Sequence, residues 1–340
     1  MPTLSPFWLF TCRFLLLFSV TGMLNTISTS AFAASASKPN AIIESADKVK
    51  YRTAKVDNHT IFYREAGDKS RPTLVLLHGY PSSSHTYREL IPLLAKHYHV
   101  IAPDNLGSGY SDKPDPAKVT YSFDTLAQIN TALLKTLGIK KYTLYMQDFG
   151  APVGFRMMQA NPQHIEAIIA QNANAYLDGL TPKRQQFFRN AHEDRSAENT
   201  QRLMQYSSRD AIINGQYLRD VPAALHDRIS PDAWTHDLHF LQTDAQRMIQ
   251  VQLFQDYYSN LLAYPKWQAF LRKQQYPALI VWGRHDAAFI VPGALGYLRD
   301  LPHAELHLLD AGHFAVEEKP QAVAELVLDF MNTLYQHSQP

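Results

Sequence analysis

Cysteine is almost absent from the sequence. Cys12 is the one cysteine among 340 residues, so no disulfide can form within the chain. The 15 histidines are scattered, and none belongs to a His-Glu-x-x-His motif or to a cysteine pair with the spacing of zinc ligands. The sequence therefore predicts neither a disulfide framework nor a metal site.

An excess of charge of either sign is absent as well. Lys and Arg number 32 against 31 Asp and Glu, which gives a formal net charge of +1. A nearly neutral chain lacks the basic surface that attracts nucleic acid, so we exclude a dedicated DNA- or RNA-binding protein. Hydrophobic residues make up 46% and charged residues 19%, which is typical of a folded chain with a large core.

A long hydrophobic run is the third missing feature. The apolar residues 14–20 follow Arg13, whereas a membrane-spanning helix needs about 20 apolar residues. A short apolar run after a positive charge, with small residues at Ala31 and Ala33, is typical of a secretory signal peptide. We predict a signal peptide over residues 1–33 with cleavage after Ala33, no stable membrane anchor afterwards and, in a bacterium, a periplasmic or secreted mature protein. An uncleaved anchor is the alternative.

Six short apolar runs recur along the chain, and each ends in polar or glycine residues. They are residues 73–77, 98–102, 142–146, 165–170, 278–282 and 305–309. Helical patterns such as 87–97 and 123–137 lie between them, and this alternation is typical of a mostly parallel, doubly wound α/β sheet. The alternation stops over residues 174–265, which we interpret as an inserted helical cap over the carboxyl ends of the strands. Residues 34–173 and 266–340 then form the core.

A sharp turn between a predicted strand and a predicted helix holds the first candidate for catalysis. Gln147-Asp148-Phe149-Gly150 follows the run 142–146 and precedes a helical pattern from Val153. This is the context of a nucleophile elbow, usually Gly-x-Ser-x-Gly, with Asp148 in the nucleophile position and Met146 in place of the first glycine. A carboxylate can attack carbon without a base, and it forms an alkyl-enzyme ester that water must then hydrolyse.

Two further polar residues follow later strands. Asp286 comes after the run 278–282, and His313 comes after the run 305–309. The chain order of nucleophile, acid and histidine is that of the α/β-hydrolases. We predict that His313 activates the water that hydrolyses the ester and that Asp286 orients its imidazole.

The loop after the run 73–77 reads His78-Gly79-Tyr80-Pro81. A loop at this place normally supplies one backbone N–H of an oxyanion hole, and the residue after the nucleophile supplies the other. We therefore predict that the backbone N–H groups of Tyr80 and Phe149 stabilise the anion formed during ester hydrolysis. Each such donor contributes about 3–4 kcal/mol.

Together these motifs resemble the α/β-hydrolase superfamily over nearly all of residues 45–337. The matching segments are His78-Gly79-Tyr80-Pro81, Asp104 to Asp112 with its Gly107-Ser108-Gly109, Gln147-Asp148-Phe149-Gly150, Asp286 and Gly312-His313. An aspartate nucleophile narrows the resemblance to the epoxide hydrolase and haloalkane dehalogenase group. The resemblance implies a cofactor-independent hydrolase that acts on a small apolar substrate through an Asp-His-Asp triad.

The sequence carries features of both activities. Haloalkane dehalogenases hold the halide with the N–H groups of an Asn after His-Gly and a Trp after the nucleophile, where this chain has Tyr80 and Phe149. The aromatic Tyr80 resembles the epoxide hydrolases, whereas the elbow with Met146 looks more like that of a dehalogenase. A fluoroacetate dehalogenase is expected to carry Arg after the nucleophile, and Phe149 argues against that activity.

Tyrosines of the cap are the expected proton donors if the substrate is an epoxide. Epoxide hydrolases use them to protonate the oxygen of the opening ring, because a tyrosine hydroxyl is a neutral donor at pH 7. Asp256-Tyr257-Tyr258-Ser259-Asn260 resembles the segment that carries one of them, and by that match we choose Tyr258. Tyr217 is the choice for the second donor, ahead of Tyr206 and Tyr176.

The leading interpretation is an exported, cofactor-free enzyme that opens epoxides to diols. The first alternative is a haloalkane dehalogenase or another hydrolase that uses the same aspartate. A fold retained for binding a small apolar ligand, with an idle triad, is the second. An esterase or lactonase fits less well, because attack by a carboxylate on an ester would form an anhydride. The oligomeric state stays open.

Overall fold

A mixed eight-stranded sheet forms the centre of the structure, a computed structural model that describes residues 48–336. The strands are β1 Lys50–Val56, β2 His59–Ala66, β3 Thr73–Leu77, β4 His99–Pro103, β5 Tyr142–Gln147, β6 Ile165–Gln171, β7 Ala278–Gly283 and β8 Glu305–Leu309. Their order in the sheet is β1-β2-β4-β3-β5-β6-β7-β8. The pairs β1–β2 and β2–β4 are antiparallel and the rest are parallel. The predicted signal peptide and Cys12 lie outside the described residues.

The six apolar runs predicted as strands are β3 to β8. Strand β3 shows why such runs are continuous: Val75 and Leu77 pack into one apolar cluster, and Leu74 and Leu76 pack into another on the opposite face. Successive side chains of a strand point to opposite faces, so a strand covered on both sides is apolar throughout. The hairpin of β1 and β2 was not predicted. Most of β1 is exposed, which removes the continuous apolar signal.

Helices cover both faces of the sheet. The α-helices are α1 Leu90–Leu94, α2 Phe123–Thr136, α3 Gly150–Ala160, α4 Pro182–Glu193, α5 Ala197–Met204, α6 Arg209–Ile212, α7 Pro231–His239, α8 Asp244–Asp256, α9 Tyr258–Gln274, α10 Pro292–Asp300, α11 Ala315–Glu318 and α12 Pro320–Gln336. Short 3-10 helices lie at Ser84–Tyr87, Pro162–His164, Leu177–Gly179, Gln205–Ser207 and Ala223–Arg228, and a π-helix lies at Ile213–Tyr217. No helix within residues 48–336 is long and apolar enough to cross a membrane.

Helices α4 to α9 lie between β6 and β7, where the inserted cap was predicted. Five of them begin after a hydroxyl residue whose side chain accepts a backbone N–H of the first turn. These residues are Thr181, Ser196, Ser208, Ser230 and Thr243. Helix α9 continues to Gln274, beyond the predicted cap boundary at residue 265. The described residues 48–336 belong to one compact unit, which includes both the core and the cap segments.

One hydrogen bond fixes the end of the cap on the core. The Asp256 carboxylate at the end of α8 accepts the backbone N–H of Phe123, the first residue of α2, at 2.8 Å. Nearby, the Arg156 guanidinium donates to the Asn260 side chain at 2.8 Å. These two contacts hold Tyr257, the residue between α8 and α9, over the carboxyl ends of the strands.

Candidate active site

Asp148 lies in the turn between β5 and α3, with a φ of +49°. This left-handed conformation is rare for a residue other than glycine, and such strain is common at functional sites. Gly150 makes the turn possible, because a Cβ at that position would collide with the carbonyl oxygen of Leu77. Asp148 is buried, so its carboxylate meets a restricted set of partners.

Met146 occupies the elbow position where a glycine is usual. Its side chain is fully buried, and its sulfur lies where a Cβ of residue 154 would be. Gly154 of α3 therefore provides the space that the larger Met146 requires. The departure from the usual elbow is accommodated within the same strand and helix.

The loop after β3 approaches one oxygen of Asp148. The backbone N–H of Tyr80 donates to Oδ1 of Asp148 at 2.6 Å. Gly79 precedes it, and a side chain there would collide with the Asp148 carboxylate. The neighbouring Gly79 N–H donates to Oε1 of Gln147 at 3.1 Å. Phe149, the other predicted oxyanion-hole residue, lies directly before the first residue of α3.

His313 lies on the other side of the Asp148 carboxylate, and all three groups of the predicted triad are buried. Its Nε2 is 3.4 Å from Oδ2 of Asp148, and its Nδ1 is 2.7 Å from Oδ2 of Asp286. Asp286 also accepts the backbone N–H groups of Ala288 and Phe289 at 2.7 and 2.9 Å. The structure thus brings together the three residues that the sequence placed at three separate strand ends.

Asn172 was not predicted from the sequence, and it holds Asp286 in place. Its side-chain amide donates to Oδ2 of Asp286 at 2.8 Å, and its own oxygen accepts the N–H of Gly283 at 3.2 Å. Asn172 also has a positive φ, of +46°. Asn172 directly follows β6. Its position as a polar residue at the end of a predicted strand was the signal in the sequence that could have identified it.

The electrostatics of the site favour a protonated imidazole between two carboxylates. Burial opposes protonation of His313, but the charges and hydrogen bonds of Asp286 and Asp148 outweigh it and raise its pKa to about 10. Burial likewise opposes ionisation of Asp286, but His313 and the donors around Asp286 lower the pKa of that carboxyl. Asp286 therefore stays ionised and stabilises the protonated form of His313.

The two adjacent cap tyrosines have different surroundings. The ring of Tyr258 packs against His192 and the guanidinium of Arg189, which are both exposed residues of α4. The ring of Tyr257 instead lies 5.2 Å from the ring of Phe149, beside the nucleophile elbow. Of the two, Tyr257 is the one whose ring contacts Phe149.

Tyr257 is fully buried, with its hydroxyl oxygen 3.5 Å from that of Tyr264. Burial, Tyr264 and then Asp148 raise the pKa of Tyr257 well above its usual value. The hydroxyl therefore stays protonated at neutral pH and lies within the electrostatic influence of Asp148. Tyr257 has the properties that were expected of Tyr258.

Two of the other tyrosines named from the sequence, Tyr217 and Tyr176, donate their hydroxyl protons to carboxylates. The hydroxyl of Tyr217 donates to Oδ2 of Asp237 at 2.5 Å, and its ring stacks on Phe314 at 4.4 Å. Phe314 in turn contacts the ring of His313, so Tyr217 lies near the triad, and its proton is donated to Asp237. Tyr176 donates to Asp300 at 2.7 Å. The backbone oxygen of Tyr206 accepts the hydroxyl of Tyr80 at 2.8 Å.

Aromatic rings cluster next to the turn that holds Asp148. The ring of Phe254 lies 4.7 Å from that of Tyr80 and 5.9 Å from that of Phe149. Tyr257 and Phe188 stack at 3.9 Å behind them. Such a wall suits an apolar substrate body.

Two arginines of the cap lie near the triad, and neither was singled out from the sequence. Nη2 of Arg219 is 3.8 Å from Oδ1 of Asp286 and 2.6 Å from Oδ2 of Asp220. Arg184 of α4 is partly buried. Burial and Arg219 lower its pKa, while Asp286, Tyr206 and Asp148 oppose that shift. Within residues 48–336, no cluster of His, Cys, Asp and Glu is arranged to hold a metal ion.

Known proteins share this architecture. Residues 72–320 match the profile of the family described as alpha/beta hydrolase fold. The chain belongs to the α/β-hydrolase fold family. An uncharacterized hydrolase of Saccharomyces cerevisiae is 39% identical over 276 residues, which cover 80% of this chain and 93% of the yeast protein. The protein is accordingly a hydrolase.

Two solved structures show the same fold as this α/β-hydrolase. A haloalkane dehalogenase from Bradyrhizobium elkani superposes with a TM-score of 0.67 and 24% identity, covering 85% of this chain and 100% of that one. The epoxide hydrolase CorEH superposes with a TM-score of 0.66 and 24% identity, covering 84% and 100%. The two activities considered from the sequence are thus both represented among proteins of this fold.

Proposed function

We propose that the protein is an epoxide hydrolase that opens the ring with Asp148. The observation that carries this proposal is the position of the Asp148 carboxylate between two different groups. Oδ1 accepts the Tyr80 N–H at 2.6 Å, and Oδ2 lies 3.4 Å from Nε2 of His313. A carboxylate with one oxygen held by a backbone donor and the other beside a histidine suits nucleophilic attack followed by hydrolysis of the ester.

The first step forms a covalent ester. Oδ2 of Asp148 attacks a ring carbon, the ring C–O bond breaks, and its electron pair stays on the departing oxygen. That oxygen takes a proton from Tyr257, whose raised pKa keeps it protonated at neutral pH. The tyrosinate that results is reprotonated from water before the next turnover. Tyr257 replaces Tyr258 in this role because it borders Phe149.

The second step needs His313 as a base, and the first step prepares it. In the resting site the two carboxylates raise the pKa of His313 to about 10, which favours imidazolium. Ester formation removes the negative charge of Asp148, so the pKa of His313 falls. The imidazolium then releases its proton to water, and the neutral imidazole can accept another. Nε2 then takes a proton from water, which attacks the ester carbonyl carbon. Oδ1 becomes the oxyanion beside the Tyr80 N–H. When this intermediate collapses, the bond between the carbonyl carbon and Oδ2 breaks, and the proton of the added hydroxyl passes to the departing diol oxygen. Asp148 is left as a carboxylate beside the protonated His313.

Isotope labelling tests this route, because the new hydroxyl of the diol must come from Asp148. With enzyme in excess over an epoxide in H₂¹⁸O, the first-turnover diol should carry ¹⁶O, and the peptide containing Asp148 should gain ¹⁸O. A diol labelled with ¹⁸O in the first turnover and an unlabelled peptide would exclude the ester intermediate. Asp148→Asn should reduce turnover by at least about a thousandfold, since a nucleophile is removed.

A haloalkane dehalogenase reaction through the same aspartate is the second candidate. The side chains at the two positions that hold the halide in that family are Tyr80 and Phe149. Phe149 offers no donor, and the Tyr80 hydroxyl donates to the backbone oxygen of Tyr206. This arrangement favours the epoxide, whose oxygen needs a proton rather than a halide site.

A further inference from the structure

One face of α4 covers the aromatic wall of the site. Arg184, Phe187 and Phe188 are spaced three and four residues apart, which puts them on one side of the helix. Phe188 stacks on Tyr257 at 3.9 Å, and the ring of Phe187 lies 5.9 Å from that of Phe254. Tyr257 and Phe254 both contact Phe149 next to the nucleophile. The face that carries Arg184 is therefore the one that packs toward the rings around Phe149.

The charge of Arg184 has no carboxylate partner. Among residues 48–336, its guanidinium forms neither a salt bridge nor a hydrogen bond, and its contact is with the Phe187 ring, 5.9 Å from Cζ to centroid. Arg219, the other cap arginine near the triad, differs: it makes two hydrogen bonds to Asp220 at 2.8 and 2.6 Å. An arginine keeps its charge in proteins and carries five N–H donors. Arg184 thus presents unused donors on the helix face that packs against Phe254 and Tyr257.

We propose that Arg184 binds a carboxylate of the substrate, so that the enzyme acts on small apolar epoxides that bear an acid group. The inference rests on the proposed function for the ring-opening step alone. A single guanidinium matches the two oxygens of one carboxylate. An anionic substrate must also approach the Asp148 carboxylate, and a nearby cation offsets that repulsion. Arg184 does not serve as the ring-opening acid, because arginine does not release its proton.

Binding without chemistry tests the carboxylate site directly. Phenylacetate and phenylacetamide share an apolar body and differ in charge, so calorimetry with both isolates the effect of the acid group. The unmodified protein should bind phenylacetate at least about tenfold more tightly than the amide, and Arg184→Met should remove that preference. Arg184→Lys keeps the charge but lacks the planar guanidinium with its paired N–H donors, so it should restore part of the preference. Equal binding of acid and amide by the unmodified protein would overturn the proposal.

Arg189→Met is the matched control for this experiment. Arg189 lies on the same helix and is exposed, with its guanidinium 5.2 Å from the ring centroid of Tyr258. Its loss removes the same charge from α4 at a place away from the nucleophile. The preference for phenylacetate should therefore persist in Arg189→Met. If Arg189→Met also removed the preference for phenylacetate, the effect would be a general one of net charge, and this would contradict a site at Arg184.

Two epoxides, one with an acid group and one with an amide in its place, then separate this inference from the proposed function. In a His313→Gln background, adduct formation is followed by intact mass with 3-phenylglycidate and its amide. The acid should react at least about tenfold faster than the amide, and Arg184→Met should abolish that ratio. An equal fall in both rates would assign Arg184 to ring opening and overturn the carboxylate site. Adducts without any acid preference would also overturn it while supporting the proposed function. Phenylacetate binding without any adduct would support the carboxylate site and contradict the epoxide reaction.

Discussion

Nε2 of His313 lies 3.4 Å from Oδ2 of Asp148. This distance couples the protonation of the base to the chemical state of the nucleophile. A free carboxylate favours imidazolium, and an ester does not. In the proposed mechanism, His313 is therefore protonated at rest and can act as a base only after the covalent step.

Stability should depend on pH through His313. Its pKa is about 10 in the folded protein against a usual value of 6.5, so the folded state holds this proton more tightly. The stabilisation is fully present below about pH 6.5 and is lost as pH rises through about 10. Denaturant unfolding of the unmodified protein and of His313→Gln between pH 6 and 10 should show a stability difference that shrinks as pH rises.

Asp148→Asn provides the control for that pH dependence. It removes one of the two carboxylates that raise the pKa of His313, so the loss of stability should move to lower pH. Burial raises the pKa of Glu318 to about 7, so Glu318 titrates in the same pH range. It is present in all three proteins, so its contribution is common to the curves that are compared. A stability difference that grows with pH would contradict the predicted direction.

The two adjacent cap tyrosines should differ in their importance. Tyr257→Phe removes the proposed proton donor and should slow epoxide opening about a hundredfold. Tyr258→Phe removes a hydroxyl on the side of Arg189 and His192 and should change the rate less than about twofold. Pre-steady-state rates of adduct formation measure both effects. A larger loss with Tyr258→Phe would restore the choice made from the sequence.

The space around Met146 should control stability. A Cβ at residue 154 would overlap the sulfur of Met146, so Gly154→Ala should cost about 1–3 kcal/mol of the free energy of unfolding. Gly215→Ala is the matched control, because a Cβ there meets open space, and it should cost nothing. In a Met146→Ala background the cost of Gly154→Ala should largely disappear. Equal costs in both backgrounds would show that the two residues are not coupled.

The sequence predicted the sheet and the triad for physical reasons. Strands covered on both faces are continuous apolar runs, and parallel strands end at one edge, so residues after three such runs meet in space. Asp148, Asp286 and His313 follow this rule. The β1–β2 hairpin did not, because much of β1 is exposed and shows no apolar run.

The cap could be located from the sequence but its side chains could not be oriented. Tyr257 and Tyr258 are adjacent, and a sequence match alone does not tell which of them faces the core. Asp256, directly before this pair, accepts the Phe123 N–H, and this contact joins residues 133 positions apart. Arg184 lies in a polar stretch typical of a solvated helix. Its spacing from Phe187 and Phe188 was the available signal.

Intact mass of His313→Gln after exposure to epoxides and, separately, to haloalkanes tests the central claim most directly. Without its base the enzyme should still form the Asp148 ester but should not release it. We predict a mass gain equal to a whole epoxide, located on the peptide containing Asp148, and none from haloalkanes. A gain equal to an alkyl group without its halogen would instead identify a dehalogenase. The absence of any adduct on Asp148, while the unmodified protein turns the same epoxide over, would contradict the aspartyl-ester mechanism.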